Sequence, residues 1–375
     1  MKLKPRTPRP GRKVRYAVVG LGHIAQNAVL PAFAHATRNS LLSALVSDDP
    51  TKLRTLGKRY GVPALFNYEG FAELLDADLV DAVYIALPNS LHRAYAEAAA
   101  RAGVHILCEK PLAETSADCV AMIRAAEATN VKLMTAYRLH FEAANMRAVE
   151  IAKSGKLGEP RLFTSTFTMQ VRPGDIRLQR ALGGGTLYDI GVYCIQAARS
   201  LFRANPVSVM ATSARGRDRR FGEVDEMTSA ILRFPGDRLA SFLVSFGAAD
   251  VSSYRLVGTK GSLQLDPAYA YAGPRRMRVT IDGRTKEKTF EPVDQFAPEL
   301  LHFSDCILHD KTPEPSGVEG WIDVQIIEAL LRSARTGKPV PLDLPAGTRR
   351  PAPIRLVTRP PVRKPAPVHL RAANG

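Results

Sequence analysis

The stretch GGGTLYDIGVYCIQAAR, residues 183–199, sets a carboxylate and a phenol four residues apart behind three glycines. Helical spacing from about Thr186 places Asp189, Tyr193, Gln196 and Ser200 on one stripe, with Leu187, Ile190, Cys194, Ala198 and Leu201 opposite. A phenol, with a pKa of ~10, is a poor base at neutral pH. A nearby ammonium stabilises the phenolate and tunes it for proton transfer. A candidate is Lys110 in VHILCEKP, where a short apolar run predicts a strand ending at Glu109, Lys110 and Pro111. Asp189 could orient a sugar hydroxyl or hold Lys110. These residues taken singly also fit a polar helix face whose tyrosine reaches water, and a surface lysine in a salt bridge.

A second chemical signal lies near the start. Gly20-Leu21-Gly22-His23-Ile24-Ala25 is a G-x-G-x-x-A loop between the apolar run VRYAVV and a helical pattern. The first glycine permits a tight turn, the second lets backbone approach a pyrophosphate, and Ala25 allows close helix–strand packing. At the end of the next strand, LLSALVS, an NAD site usually offers a carboxylate to the ribose. Here Ser47 stands there with Lys52 and Arg54 beyond, which suits a 2′-phosphate, although Asp48 and Asp49 are adjacent. NADP is therefore expected ahead of NAD. Cofactor contacts are expected at Gly20, Gly22, His23, Ile24, Ser47, Lys52, Leu87, Asn89, His92, Glu109 and Lys110. His23, His92 and His140 fall in loops on the cofactor side. No H-E-x-x-H or H-x-H cluster occurs and no metal is expected.

The elements that must position these residues alternate as βαβαβαβαβ over residues 14–138, which predicts a Rossmann-type, doubly wound parallel sheet in an α/β protein. After a helix near 142–154 the pattern changes to period two in RLFTSTFTMQV, VSVMATSARG, MTSAILRF, LASFLVSFG, SYRLVGTKGSLQLD and RMRVTIDG. A large, mostly antiparallel open sheet is expected in a C-terminal α+β domain. The helical patterns PELLHFSDCILHD and GWIDVQIIEALLRSART follow. The expected organisation is a basic flexible segment at 1–13, a dinucleotide-binding domain at 14–138, a substrate-binding and oligomerisation domain at 139–345, and a basic, Pro-rich tail at 346–375.

The net charge of +16 is concentrated in the termini. Residues 1–15 and 349–375 carry seven Lys/Arg each and no acid, leaving +2 for the body. With no aromatic residue interleaved for base stacking, nucleic-acid binding is not expected; a solvated tail or one wrapped over a neighbouring subunit is. No run of about 18 apolar residues predicts a membrane span. The basic start lacks an apolar h-region, and the four cysteines are scattered without a C-x-x-C. A cytoplasmic location with reduced thiols is expected, with a periplasmic one open if a precursor segment preceded this chain.

The motifs VVGLGHIA, AVYIALPNSLH, CEKPLAETSADC, YRLHFEAAN, GGGTLYDIGVYC and VEGWIDVQIIEALLRSARTGKPV together resemble the glucose–fructose oxidoreductase / inositol dehydrogenase (Gfo/Idh/MocA) family over about residues 14–340. Tyr193, where many members carry histidine, is similar to the glucose–fructose and aldose–aldose oxidoreductase branch. The resemblance implies that Lys110 and Tyr193 are catalytic, that Asp189 binds sugar, that Tyr137 and Arg138 flank the nicotinamide pocket, and that Arg177 covers the cofactor. Substrate contacts are then Lys110, Tyr137, Asp189 and Tyr193. Ile176 departs from that branch, which tends to carry tryptophan there. The activity implied is oxidation of an aldopyranose at C1 to a lactone, with a tightly bound cofactor recycled on a second sugar. An aldose or dihydrodiol dehydrogenase that releases NADPH, or an NADP-sensing regulator, are the alternatives. The open sheet implies a homo-oligomer, dimer or tetramer.

Overall fold

The computed structural model describes residues 5–6, 11–345, 359–362 and 365–370. Most of the expected basic segments, 1–13 and 346–375, lies outside the described residues. Among the described residues the chain forms two compact units, one from residues up to 138 with 294–321 and 359–370, the other from 139–293 with 322–345.

The first unit begins with β1 (Val14–Val19), whose side chains are nearly all buried. The glycine loop leads into a π turn (Ala25–Val29) continued by α1 (Leu30–Ala32). Next come β2 (Ser40–Val46), α2 (Pro50–Tyr60), β3 (Ala64–Phe66), α3 (Phe71–Asp76), β4 (Ala82–Ile85), α4 (His92–Arg101), β5 (His105–Glu109), α5 (Ser116–Thr129) and β6 (Leu133–Ala136). The six strands pair in the order β3-β2-β1-β4-β5-β6, all parallel. This is the doubly wound order, with its switch point between β1 and β4. Strands β4, β5 and β6 are buried along their whole length. That is why they read as continuous apolar runs rather than as alternations.

The second unit opens with α6 (Ala143–Lys153), β7 (Pro160–Gln170) and, after the glycine triplet and a π turn (Leu187–Gly191), α7 (Val192–Phe202). Strands β8 (Ser208–Ala214), β9 (Met227–Phe234), β10 (Arg238–Ser245), β11 (Gly247–Gly258), β12 (Gly261–Asp266), β13 (Arg275–Ile281) and β14 (Arg284–Phe290) follow. Helix α8 (Ala297–Leu308) belongs to the first unit, α9 (Gly317–Thr336) runs from the first into the second, and β15 (Val340–Pro341) closes the chain of strands. The nine-stranded sheet has the order β14-β13-β12-β11-β7-β10-β9-β8-β15. It is antiparallel except between β7 and β10. One face packs against α6 and α7. Along β9 and β10 every second residue is buried, and the intervening ones face out.

Two strands depart from the sequence reading. Strand β3 has only three residues, too few to show a period. Strand β14 is exposed along its length, so it carries charges where a half-buried strand would alternate.

Candidate active site

In the first unit the expected residues gather at one edge of the parallel sheet. Gly20 to Ile24 follow β1, Ser47 and Lys52 follow β2, and Leu87, Asn89 and His92 follow β4. Glu109 ends β5 and Lys110 follows it, and Tyr137 and Arg138 follow β6. These are the carboxyl ends of the strands, where open parallel sheets bind ligands.

The glycine loop fits a dinucleotide. Gly20 has φ +93°, and a Cβ there would sit 2.6 Å from the Ala86 carbonyl oxygen, so this glycine is required by the close approach of the segments that follow the paired strands β1 and β4. At Gly22 a Cβ would meet nothing within 4 Å. The first position is therefore needed by the fold, while the second leaves room for a phosphate to approach backbone. Among the residues of this loop and its helix, Gln26 is fully buried and its amide donates to the Leu21 carbonyl at 2.9 Å.

At the end of β2 the two aspartates beside Ser47 have structural partners. Asp48 accepts from the Tyr68 amide at 2.9 Å. Asp49 caps α2 by accepting from the amides of Thr51 and Lys52, both at 2.9 Å, and the Lys52 amide holds it below the ordinary carboxylate range. Ser47 is buried, and its hydroxyl accepts from the Asp49 amide at 3.2 Å. His92 is placed differently from its expected role. Its ring is fully buried, with Nε2 2.9 Å from the Leu87 carbonyl and Nδ1 3.1 Å from that of Pro111. Burial lowers its pKa. It thus ties the loop after β4 to the turn after β5, and its polar atoms are taken up by backbone rather than directed to a cofactor.

Glu109 is almost fully buried and takes the Tyr84 hydroxyl at 2.8 Å and the Lys110 amide at 3.2 Å. Burial raises its pKa, and the charge of Lys110 acts against that. Arg138 is buried and donates to the side-chain amide oxygen, Oε1, of Gln295.

In the second unit the glycine triplet serves the loop that carries Arg177. A Cβ at Gly184 would lie 2.5 Å from the Arg177 carbonyl oxygen, and the Gly185 amide donates to that same oxygen at 3.0 Å. The triplet therefore brings residues 177–179 against the start of the helix. Arg177 Nε then reaches Asp189 at 2.7 Å, and its Nη1 reaches Asp175 at 3.2 Å. Asp189 above all, with Asp175, raises the pKa of the half-buried guanidinium and keeps it firmly charged. The residues 187–191 form a π turn, wider than the regular helix expected. Tyr193 lies on α7, which is buried all round rather than on one face. The Tyr193 ring meets Phe167 edge-on at 5.7 Å and Tyr269 at 5.9 Å. Tyr269 is itself fixed by a 2.7 Å hydrogen bond with the Ser165 hydroxyl. A phenol thus stands in an aromatic wall, on the helix whose π turn carries a carboxylate pinned by arginine.

Four participants escape sequence reading. Gln26 and Tyr84 lie within apolar patterns, and Asp175 and Glu299 look like ordinary surface acids at the starts of helices. No group of three or more His, Cys, Asp or Glu that could hold a metal ion occurs among the described residues. No helix among them is long and apolar enough to cross a membrane. All four cysteines are buried thiols.

Comparison with known proteins places this geometry. Residues 14–137 match the family described as "Oxidoreductase family, NAD-binding Rossmann fold", and residues 145–264 match the GFO/IDH/MocA C-terminal domain. The chain is 32% identical over 337 residues to the D-xylose 1-dehydrogenase [NADP(+)] of Haloarcula marismortui, covering 88% of this chain and 93% of that protein. The crystal structure of aldose-aldose oxidoreductase from Caulobacter crescentus, complexed with glycerol, superposes with a TM-score of 0.85 at 41% identity. It covers 88% of this chain and 100% of the other. A 3-ketoreductase from Actinomadura kijaniata, in complex with NADP and TDP-benzene, gives a TM-score of 0.78 at 27% identity over 86% of this chain and 98% of that one. The glycine loop, the six-stranded parallel sheet and the nine-stranded sheet are thus those of a known group, and the chain belongs to the GFO/IDH/MocA family of oxidoreductases.

Proposed function

We propose that the protein is an NADP-dependent sugar oxidoreductase that oxidises an aldopyranose at C1 to a lactone. The observation that carries this reading is Tyr193, a phenol set in an aromatic wall four residues beyond the Arg177-pinned Asp189, in a chain 41% identical to an aldose-aldose oxidoreductase. Tyr193 takes the proton of the anomeric hydroxyl. The ammonium of Lys110 stabilises charge developing on oxygen and anchors the hydroxyl, and Asp189 orients the sugar. The bound nicotinamide supplies the hydride-accepting carbon. Gly20, Gly22, His23, Ile24, Ser47, Lys52, Leu87, Asn89, Glu109, Lys110, Arg138 and Arg177 would hold it. With Asp48 and Asp49 committed to amides, the 2′-phosphate falls to Ser47 and Lys52. Tyr137 completes the sugar contacts. Tight retention of the cofactor, with a second sugar reduced in turn, follows the aldose-aldose resemblance.

Likeness to the haloarchaeal D-xylose 1-dehydrogenase supports a second reading, a dehydrogenase that releases NADPH. An absorbance spectrum of the purified protein, before and after an aldose and without added cofactor, separates the two. A reduced-nicotinamide band supports the retained cofactor; a band only after NADP is supplied supports the released one. Tyr193→Phe is expected to lower kcat/KM by about 10²- to 10⁴-fold, the usual contribution of a general acid–base, with cofactor affinity unchanged. Near-normal turnover would remove Tyr193 from this role.

The outer face of the nine-stranded sheet supports self-association. Leu162 and Leu239 are cross-strand neighbours there, as are Ile231 and Met210, and each is between 44% and 49% exposed. A homo-oligomer built on this face would bury them.

A further inference from the structure

Beneath the carboxyl end of β5 lies a buried acidic cluster that the proposed chemistry does not use. Its members come from three elements of the first unit: Tyr84 on β4, Glu109 at the end of β5 and Glu299 in the first turn of α8. Tyr84 and Glu299 are fully buried and Glu109 nearly so. The Tyr84 hydroxyl is 2.8 Å from Glu109 Oε1 and 3.5 Å from Glu299 Oε2. The other oxygen of Glu109 accepts from the Lys110 amide, while Glu299 Oε1 has no hydrogen-bond partner among the described residues.

The proton count follows from this geometry. A phenol has one proton, and the short contact assigns it to Glu109. The longer contact to Glu299 is then favourable only if Glu299 itself donates, to the phenol oxygen. An ionised Glu299 would instead be a second buried anion beside Glu109, with one oxygen bare of donors, which desolvation and like-charge repulsion both oppose. The first turn of α8 favours a negative charge, but two of its free amides, those of Phe296 and Ala297, are already taken by Asp294. The second carboxyl oxygen of Asp294 faces His35.

We propose that Glu299 is a positioning residue that keeps its proton through the working pH range, so that Glu109 stands as the single ionised carboxylate behind Lys110. This rests on the catalytic reading of Lys110. The charged and titratable groups facing Glu299 are Glu109, Arg138, Tyr84, Asp294 and Tyr16. Burial first, then the charge of Glu109, raises the Glu299 pKa well above the ordinary carboxylate value, with Arg138 acting against both. The group is therefore neutral below that raised pKa and ionises only as pH climbs through it. While it is neutral, Lys110 and Arg138 face one anion, and positive charge is left over at the sheet edge where an alkoxide would form. Once it ionises, that excess is cancelled.

The test uses the full-length protein. Infrared difference spectra of wild type minus Glu299→Gln, without substrate, read the C=O stretch of a protonated carboxyl at neutral pH. A band lost in the variant is expected; no such band means that Glu299 is ionised and overturns the proposal. In pH profiles, Glu299→Leu is expected to lower kcat about tenfold, on the scale of losing one hydrogen bond to a charged group, and Glu299→Gln to recover most of it. The fall in activity at alkaline pH should lie higher in Glu299→Gln than in wild type, because glutamine cannot ionise. A Glu299→Gln variant as poor as Glu299→Leu, or with an unmoved alkaline fall, overturns it as well. If Glu299→Leu does not fold, the infrared band and the Glu299→Gln profile still decide. Lys110→Ala with full kcat would remove the catalytic reading of Lys110 while leaving the infrared assignment intact.

Discussion

A methyl group at position 20 would have to occupy space held by the Ala86 carbonyl, on a backbone whose φ of +93° already disfavours it. Two residues on, the same methyl group would meet nothing within 4 Å. The two glycines of one motif therefore separate by experiment. Gly20→Ala is expected to destabilise the fold by about 2–4 kcal/mol, from backbone strain and overpacking together, as read by urea unfolding. Gly22→Ala should leave the urea midpoint where it is and weaken NADPH binding, as read by fluorescence titration. Equal effects on stability would show that Gly22 also serves the fold. The distinction is invisible in the letters G-L-G, because it depends on which neighbouring backbone lies against each Cα. Likewise Lys110 and Tyr193 are legible as chemistry-bearing types, whereas Tyr84 and Glu299 are not. A tyrosine inside an apolar strand and an acid at a helix start are ordinary letters until β4 and α8 are folded against β5.

The same limit operates on elements. Strands β4, β5 and β6, and nearly all of β1, are readable because burial on both faces demands unbroken apolar runs, and the second sheet because one buried face demands alternation. The π turns at 25–29 and 187–191 leave no such mark. Their extra residue per turn is a response to packing, not a periodicity. Helix α7 shows the consequence. It reads as amphipathic, yet its polar residues are buried too, and Arg199 in its last turn is fully enclosed. That guanidinium meets Asp323 of α9 at 2.5 Å, with both side chains 0% exposed, and holds Asn205 at 3.0 Å. Removing one partner leaves a buried charge. Asp323→Ala is expected to cost about 3–5 kcal/mol, whereas a matched apolar pair, Arg199→Met with Asp323→Leu, should recover much of it. Chemical denaturation of the three proteins checks this. A small effect of the single variant would mean that water reaches the pair.

At the scale of the molecule, charge counting separated two basic termini from a nearly neutral body but could not show what they touch. Arg15, counted with the first terminus, is clamped by Asp81 at 2.8 Å and Asp78 at 3.1 Å. Near the other end, the residues 365–370 return to the first unit. The Val368 amide donates to Gln26 Oε1 at 2.8 Å, and the Gln26 amide donates back to the Val368 carbonyl at 3.0 Å. Arg59 binds the Ala366 carbonyl at 2.9 Å, and His369 meets Asp49 at 3.1 Å. No local pattern could announce this, because the partners are more than 300 residues apart. The pairing makes a sharp prediction. Val368→Pro removes the donor and strands a buried acceptor on Gln26, a local cost of about 1–3 kcal/mol. Val368→Ala keeps the amide. Limited proteolysis should therefore show residues 366–370 losing protection from cleavage in the proline variant and retaining it in the alanine one, with hydrogen exchange of the parallel sheet unchanged in both. Protection that survives Val368→Pro would mean that Arg59 and Asp49 alone hold the segment. Protection lost equally in Val368→Ala would mean that the valine side chain, not the reciprocal bonds to Gln26, is the anchor.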